Sequence, residues 1–133
     1  ESRGLGDVYK RQVRRRAARG FIDDDEIDGY VAELSEALSD ERVDEWFEGY
    51  RRLLRESTIA VPTGDGVRNY RPDRVVWTSQ GTIDVIDYKF GEEEPSGYIR
   101  QVKGYMRLIS KIYPDVEVRG FLWYPLQKRI TRV

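Results

Sequence analysis

Asn69 to Phe90 reads NYRPDRVVWTSQGTIDVIDYKF. Two runs rich in Val, Ile, Trp and Tyr flank Ser79-Gln80-Gly81, which predicts a β-hairpin. A three-residue connection with glycine last is favoured because that position takes the left-handed conformation. A register centred on Gln80 sets Thr78 against Thr82, Val75 against Val85 and Asp73 against Asp87. Directly opposed residues of an antiparallel pair have Cβ atoms roughly 4.5–5.5 Å apart. Two carboxylates at that separation destabilise a sheet unless a positive charge lies between them, and a divalent cation would serve. Lys89 is two residues past Asp87 and projects from the same face. The stretch thus brings two carboxylates and an ammonium to the end of a hairpin whose body (Val75, Trp77, Ile83, Val85) is apolar.

Toward the C-terminus, residues 91–97 (GEEEPSG) read as a loop, because Pro95 blocks regular structure. Glu92, Glu93 and Glu94 are a solvated run or, following the hairpin so closely, metal ligands. Tyr98 to Tyr113 is predicted helical. Ile99, Val102, Met106 and Ile109 form one stripe, broadened by Tyr105, Leu108 and Ile112. Gln101 and Tyr105 are four apart and share a face. Pro114-Asp115 ends the helix, Val116–Tyr124 reads as a strand with Phe121 and Trp123 buried, and 126–133 as a short edge strand.

Toward the N-terminus, Pro62 to Gly66 is a turn and Arg55–Val61 a strand. Ser39-Asp40 caps a helix containing Val43, Trp46, Phe47 and Tyr50, with Leu53 and Leu54 near its end. Trp46-Phe47 serves as core or as a base-stacking platform. Asp23-Asp24-Asp25-Glu26 precedes Ile27, Tyr30, Val31, Leu34 and Leu38 at helical spacing. Acids favour the positive end of a helix dipole, so a helix to about Leu38 is expected; metal binding is the other use of such a run. Val13–Gly20 (VRRRAARG) reads as a helix end whose arginines are a solvated face or a phosphate-facing patch. Residues 1–12, with two early glycines and no evident apolar face, read as a non-native or disordered leader.

The chain has 133 residues, with 23 basic and 24 acidic side chains and a net charge of −1. One domain of this size is expected, large enough for one core but not for a helicase motor. No Gly-x-x-x-x-Gly-Lys stretch is present, which excludes a P-loop ATPase within these residues. There is no histidine and no cysteine. Disulfides, thiolate metal sites and imidazole bases are excluded, so any metal is held by oxygen, which favours Mg2+, Mn2+ or Ca2+ over Zn2+. The lack of cysteine fits a reducing cytoplasm; no apolar run approaches membrane-spanning length and no signal peptide is visible.

Pro72-Asp73 followed one hairpin later by Asp87-Tyr88-Lys89 resembles the PD-(D/E)xK nuclease signature. Glu56 upstream, and Tyr98-Ile99-Arg100-Gln101 with Tyr105 downstream, extend the likeness over residues 13–133. The ordered set is similar to the C-terminal nuclease domain of RecB/AddA-type helicase–nucleases, often described as UvrD/Rep-like. The resemblance implies an α/β fold with a restriction-endonuclease-like core, a mixed central sheet flanked by helices. Helices would occupy 13–54 and the catalytic core 55–133. It also implies a metal-dependent, exonuclease V-like deoxyribonuclease acting on single-stranded DNA or duplex ends, in bacterial cytoplasm, in DNA repair and recombination.

Asp73, Asp87, the Tyr88 carbonyl and Glu56 would hold Mg2+ or Mn2+, with Lys89 stabilising the charged transition state. Gln101, Tyr105 and Tyr98 would contact the strand, and Arg71, Arg74 and Arg100 the phosphates. A helicase domain upstream and a second subunit are the implied partners, with no membrane. The chain departs from that pattern in one respect, for nucleases of this type carry a metal-ligating histidine on a helix upstream of the matched region. Truncation upstream is one expectation; a catalytically degenerate DNA-binding or scaffold domain is the other.

Overall fold

The structure is a computed structural model describing residues 5–17, 20, 23–90 and 96–133. Its helices and strands are α1 (Leu5–Ala17), α2 (Asp24–Leu38), a 3-10 turn (Glu41–Val43), α3 (Asp44–Phe47), β1 (Arg52–Arg55), β2 (Ile59–Thr63), β3 (Gly66–Tyr70), β4 (Arg74–Trp77), β5 (Ile83–Tyr88), α4 (Ser96–Ile112), β6 (Val118–Tyr124), a second 3-10 turn (Pro125–Gln127) and β7 (Arg129–Arg132). Five strands form one mixed sheet in the order β1-β4-β5-β6-β7, and β2 and β3 form a separate two-stranded sheet.

The central hairpin has the expected register, with Val75 opposite Val85 and Trp77 opposite Ile83. Gly81 takes φ +89°, the left-handed region that the loop requires. The Thr78 N–H donates to the Thr82 carbonyl at 2.9 Å and closes the turn. β5 then runs parallel to β6, with α4 as the crossover between them. β7 pairs antiparallel to β6 as the edge strand.

Side chains alternate along β4, β5 and β6, so each face of the sheet buries its own cluster. Val76, Ile86, Tyr88, Phe121 and Trp123 pack with Val8 of α1, Leu34 and Leu38 of α2, and Trp46 and Phe47. Val75, Ile83, Val85 and Leu122 pack on the other face with Val102, Tyr105 and Ile109 of α4. The result is an α/β architecture with helices on both faces of a mixed sheet. All of β5 is buried. Gly120 of β6 lets α4 approach closely, since a Cβ there would lie 2.7 Å from Val102 Cγ1.

The acidic helix start is a full capping box. Asp23 Oδ1 accepts from the Glu26 N–H at 2.9 Å, and Glu26 Oε1 from the Asp23 N–H at 3.4 Å. Trp46 and Phe47 are core residues, each nearly fully buried.

Four sequence expectations are corrected. Residues 5–12 belong to a packed helix and are not disordered. Leu5, Val8, Tyr9 and Gln12 recur at i, i+3, i+4 and i+7; Val8 and Gln12 are buried, and Asp7 sits in the first turn. The helix expected to reach Leu54 stops at Phe47. Glu48 is extended and Gly49 has φ +71°, and Leu53 and Leu54 instead face Val76 and Val75 across β1–β4. The strand expected over 55–61 is broken at Glu56, whose φ of +48° turns the chain out of the sheet into the β2–β3 arm. The central hairpin begins at Arg74, because Asn69 and Tyr70 pair with β2. Glu92, Glu93, Glu94 and the side chains of Arg14 and Arg15 lie outside the described residues. Among the described residues no helix is long and apolar enough to cross a membrane.

Candidate active site

Asp73, Asp87 and Lys89 converge at one end of β5, on the α4 side of the sheet. β4 begins one residue after Asp73, so Asp73 and Asp87 continue the register past the Arg74–Ile86 pair. The carboxylates take over where the ladder ends. The Asp73 N–H donates to Asp87 Oδ1 at 3.1 Å, and the Tyr88 N–H donates to Asp73 Oδ2 at 2.8 Å. Each carboxylate is thus bound to an amide of the facing strand. This reciprocal clasp offsets part of the repulsion that the sequence assigned wholly to a cation, because an amide N–H carries partial positive charge.

Lys89 Nζ lies 4.0 Å from Asp87 Oδ2. Both side chains are largely withdrawn from water, at 9% and 5% exposure. A Coulomb attraction at that separation is worth about 4 kcal/mol at an effective dielectric of 20, against about 1 in water. Lys89 is positioned from two sides. Its N–H donates to the Trp123 carbonyl at 2.8 Å, and its ammonium stands 3.4 Å from the ring centroid of Tyr98, in the first turns of α4.

Glu56 is tied to the same place through the backbone, its N–H donating to the Asp73 carbonyl at 3.2 Å. Its carboxylate pairs with Arg71 Nη2 at 3.1 Å, and Arg71 Nε also reaches the Glu56 carbonyl. Among the described residues no three His, Cys, Asp or Glu side chains are grouped so as to hold a metal ion. Tyr88 contributes backbone only. Its ring lies on the opposite face, edge-on to Trp123 at 5.7 Å, and burial pushes its hydroxyl above the usual tyrosine range.

Two expected contacts are redrawn. Arg74 is buried at 2% exposure and is unavailable to phosphate. Its guanidinium binds Asp7 at 2.7 Å and the Trp46 carbonyl at 2.8 Å, over the Phe47 ring at 4.2 Å. Tyr105 is fully buried beneath α4 while Gln101 is exposed. Four residues of helix leave about 40° between two side chains, enough to put one in the core and its neighbour at the rim. Tyr98, Arg100 and Gln101 are exposed along α4.

The other end of β5 holds a second carboxylate, which the sequence reading did not single out. Asp84 is fully buried. It accepts from Arg119 at 2.8 and 2.6 Å, from the Trp46 indole at 2.9 Å and from the Thr82 hydroxyl at 2.9 Å. Arg119 also donates to Glu45 at 2.7 Å, and the hydrogen bonds it donates to Asp84 raise its already high pKa further. A carboxylate inside a strand buried on both faces requires a cation nearby, which is the signal that β5 carried. No family model matches the chain, and no curated protein matches it.

The oxygen donors at Asp73 and Asp87 fit a hard divalent cation. Mg2+ keeps several waters and is commonly bound by only one or two protein carboxylates plus substrate phosphate oxygens. A two-carboxylate site is therefore sufficient in kind.

Proposed function

We propose that the chain is a metal-dependent deoxyribonuclease domain of the PD-(D/E)xK kind, related to those of RecB/AddA-type helicase–nucleases, and that it hydrolyses single-stranded DNA. The observation that carries the reading is the placing of Asp73, Asp87 and Lys89 on one face, at the C-terminal end of β5 and beside the start of α4. Ligand sites of α/β sheets favour that edge. The order of elements around it, an antiparallel strand trio followed by a helix and a parallel strand, supports a restriction-endonuclease-like core.

Asp73 and Asp87 would hold Mg2+ or Mn2+, with the Tyr88 carbonyl beside them. Once bound, the ion supplies Lewis-acid relief of charge on a phosphodiester. Lys89 keeps an ammonium at the mouth of the site, where a pentavalent phosphate gathers negative charge. Tyr98 fixes that ammonium and excludes water from one side of it. Glu56 acts as a positioning residue, through its N–H to Asp73.

The test is cleavage of end-labelled single-stranded DNA with Mn2+, comparing the chain with Asp87→Ala and Lys89→Ala. Loss of a charge-stabilising group typically costs about 100- to 1,000-fold in rate. Both variants are expected to fall at least that far with metal saturating. Undiminished cleavage by Lys89→Ala removes that residue from the mechanism.

A catalytically degenerate scaffold is the second reading. It is favoured by the engagement of Glu56 with Arg71, by the amide clasp on both aspartates and by the absence of histidine. Titration calorimetry separates the two, since the scaffold reading expects no Mn2+ heat that depends on Asp73 and Asp87.

A further inference from the structure

Net charge hides how the charges are distributed. α2 (DDEIDGYVAELSEAL) carries six carboxylates and no basic residue. α4 (SGYIRQVKGYMRLISKI) carries four basic residues and no acid in seventeen positions. The two helices cover opposite faces of the sheet. α2 and α4 are therefore opposite in charge across the sheet, with α4 on the side of Asp73, Asp87 and Lys89, although α1, packed beside α2, carries five basic residues and one acid.

The four cations of α4 are Arg100, Lys103, Arg107 and Lys111, all exposed. At 3.6 residues per turn they fall within a sector of about 80°, opposite the buried Val102, Tyr105 and Ile109. With about 1.5 Å of rise per residue they are spaced at about 4.5, 6 and 6 Å along the axis, in a line about 16 Å long. An ordinary solvent face mixes signs and gains from Glu–Lys pairs four apart; this one has none. Among the described residues no ion pair reaches any of the four. By contrast, Glu26 and Glu36 of α2 are paired with Arg16 and Lys128. A row of like charges is unfavourable to the helix itself, so it points to a polyanion outside it. The row begins in the same first turns of α4 as Tyr98, whose ring meets Lys89 from the sheet-facing side of the helix, so the track starts at the site's end of the molecule.

We infer that the outer face of α4 is a track for the sugar–phosphate backbone of single-stranded nucleic acid, with Lys103, Arg107 and Lys111 extending it away from the Asp73–Asp87 end. The inference rests on the nuclease reading for direction but not for binding. A narrow, straight row spaced near the repeat of successive phosphates suits a strand better than a flat anionic lipid surface, which rewards a broad basic patch. The acidic face of α2 opposes binding at that helix.

The experiment is fluorescence anisotropy of a labelled oligo(dT) in EDTA, where nothing is cleaved, across a salt series. The chain is compared with Lys103→Gln/Arg107→Gln/Lys111→Gln and with the single Arg107→Gln. Glutamine is about as helix-favouring as lysine and arginine, so the fold is retained, and circular dichroism checks it. Each phosphate contact adds about 0.7 to the slope of log affinity against log salt for single strands. The triple variant is expected to lose about 2 from that slope and to bind at least tenfold more weakly, with the single variant intermediate.

An unchanged slope and affinity overturn the track. So does a chain that binds anionic phospholipid vesicles but not the oligonucleotide, or that binds neither. Lost binding in the triple variant, in a chain that never cleaves, upholds the track and rejects the nuclease reading. Mn2+-dependent cleavage with binding indifferent to the three substitutions does the reverse.

Discussion

The two aspartates of β5 are three residues apart on one strand, yet they live differently. Asp84 is met by a guanidinium fork, an indole and a hydroxyl. Asp87 is met by a backbone amide of the facing strand, with an ammonium 4.0 Å away and a second carboxylate opposite. At the first end, one guanidinium is hydrogen-bonded to both Asp84 and Glu45, and the cluster is sealed by Trp46. At the second, two negative groups share one ammonium and two amides. The difference lies in how the like charges are held: Arg119 bridges Glu45 and Asp84, whereas Asp73 and Asp87 are clasped by backbone amides.

Matched substitutions sharpen the contrast. Asp84→Asn turns an amide toward Arg119 and leaves that guanidinium without its buried counter-charge. Breaking a buried pair from one side costs about 3–5 kcal/mol, and a loss in that range is expected in urea unfolding. Asp87→Asn keeps an acceptor for the Asp73 N–H and removes half of a repulsion. It also takes the nearest counter-charge from Lys89, so its stability is expected to fall, though less than that of Asp84→Asn, while on the nuclease reading Mn2+-dependent cleavage disappears. Equal losses at the two positions would erase the distinction drawn here.

The smallest effect concerns Tyr88, which shares its sheet face with Asp84. Its hydroxyl is buried and, among the described residues, has no hydrogen-bond partner. Removal of that hydroxyl is expected to be neutral or slightly stabilising at pH 7. Burial holds the hydroxyl protonated above the ordinary tyrosine value of about 10. The folded state then binds more protons than the unfolded one above pH 10, so stability from this group is complete below that pH and declines above it. Tyr88→Phe lacks that decline. Unfolding midpoints at pH 8 and pH 11 are expected to converge in the variant relative to the parent; parallel losses would mean that the hydroxyl is already hydrated.

Local patterns made much of the fold legible. The hairpin register followed from Gly81 and the symmetric Val, Ile and Trp positions. The start of α2 followed from Asp23 and Glu26, and the crossover from an amphipathic run between two apolar strands. What escaped depended on distant partners. Asp7 anchors α1 through Arg55 and Arg74, 48 and 67 residues on, and Asp84 meets Arg119 35 residues on. The short α3 was hidden because Leu53 and Leu54 fit a helical stripe as well as an edge strand; Gly49 was the breaker. At the site, spacing brought Asp73, Asp87 and Lys89 together correctly. It could not tell that Tyr105 turns inward while Gln101 stays out, because helical periodicity defines a face but not its waterline.

The β2–β3 arm leaves the sheet at Glu56 and returns at Asp73, and the two ends are joined by a hydrogen bond of 3.2 Å. β1 and β4, on either side of the excursion, pair directly, with Arg55 opposite Arg74. In engineering terms the arm is a cassette, an insert whose root is already closed and whose length does not enter the register of the main sheet. Loop-closure cost grows only slowly with length, so arms of other lengths or sequences can be exchanged here without rebuilding the core. The exchange is felt at Glu56, Arg71 and Asp73. A site rooted at the base of a replaceable arm can change what it reaches for while its chemistry stays fixed.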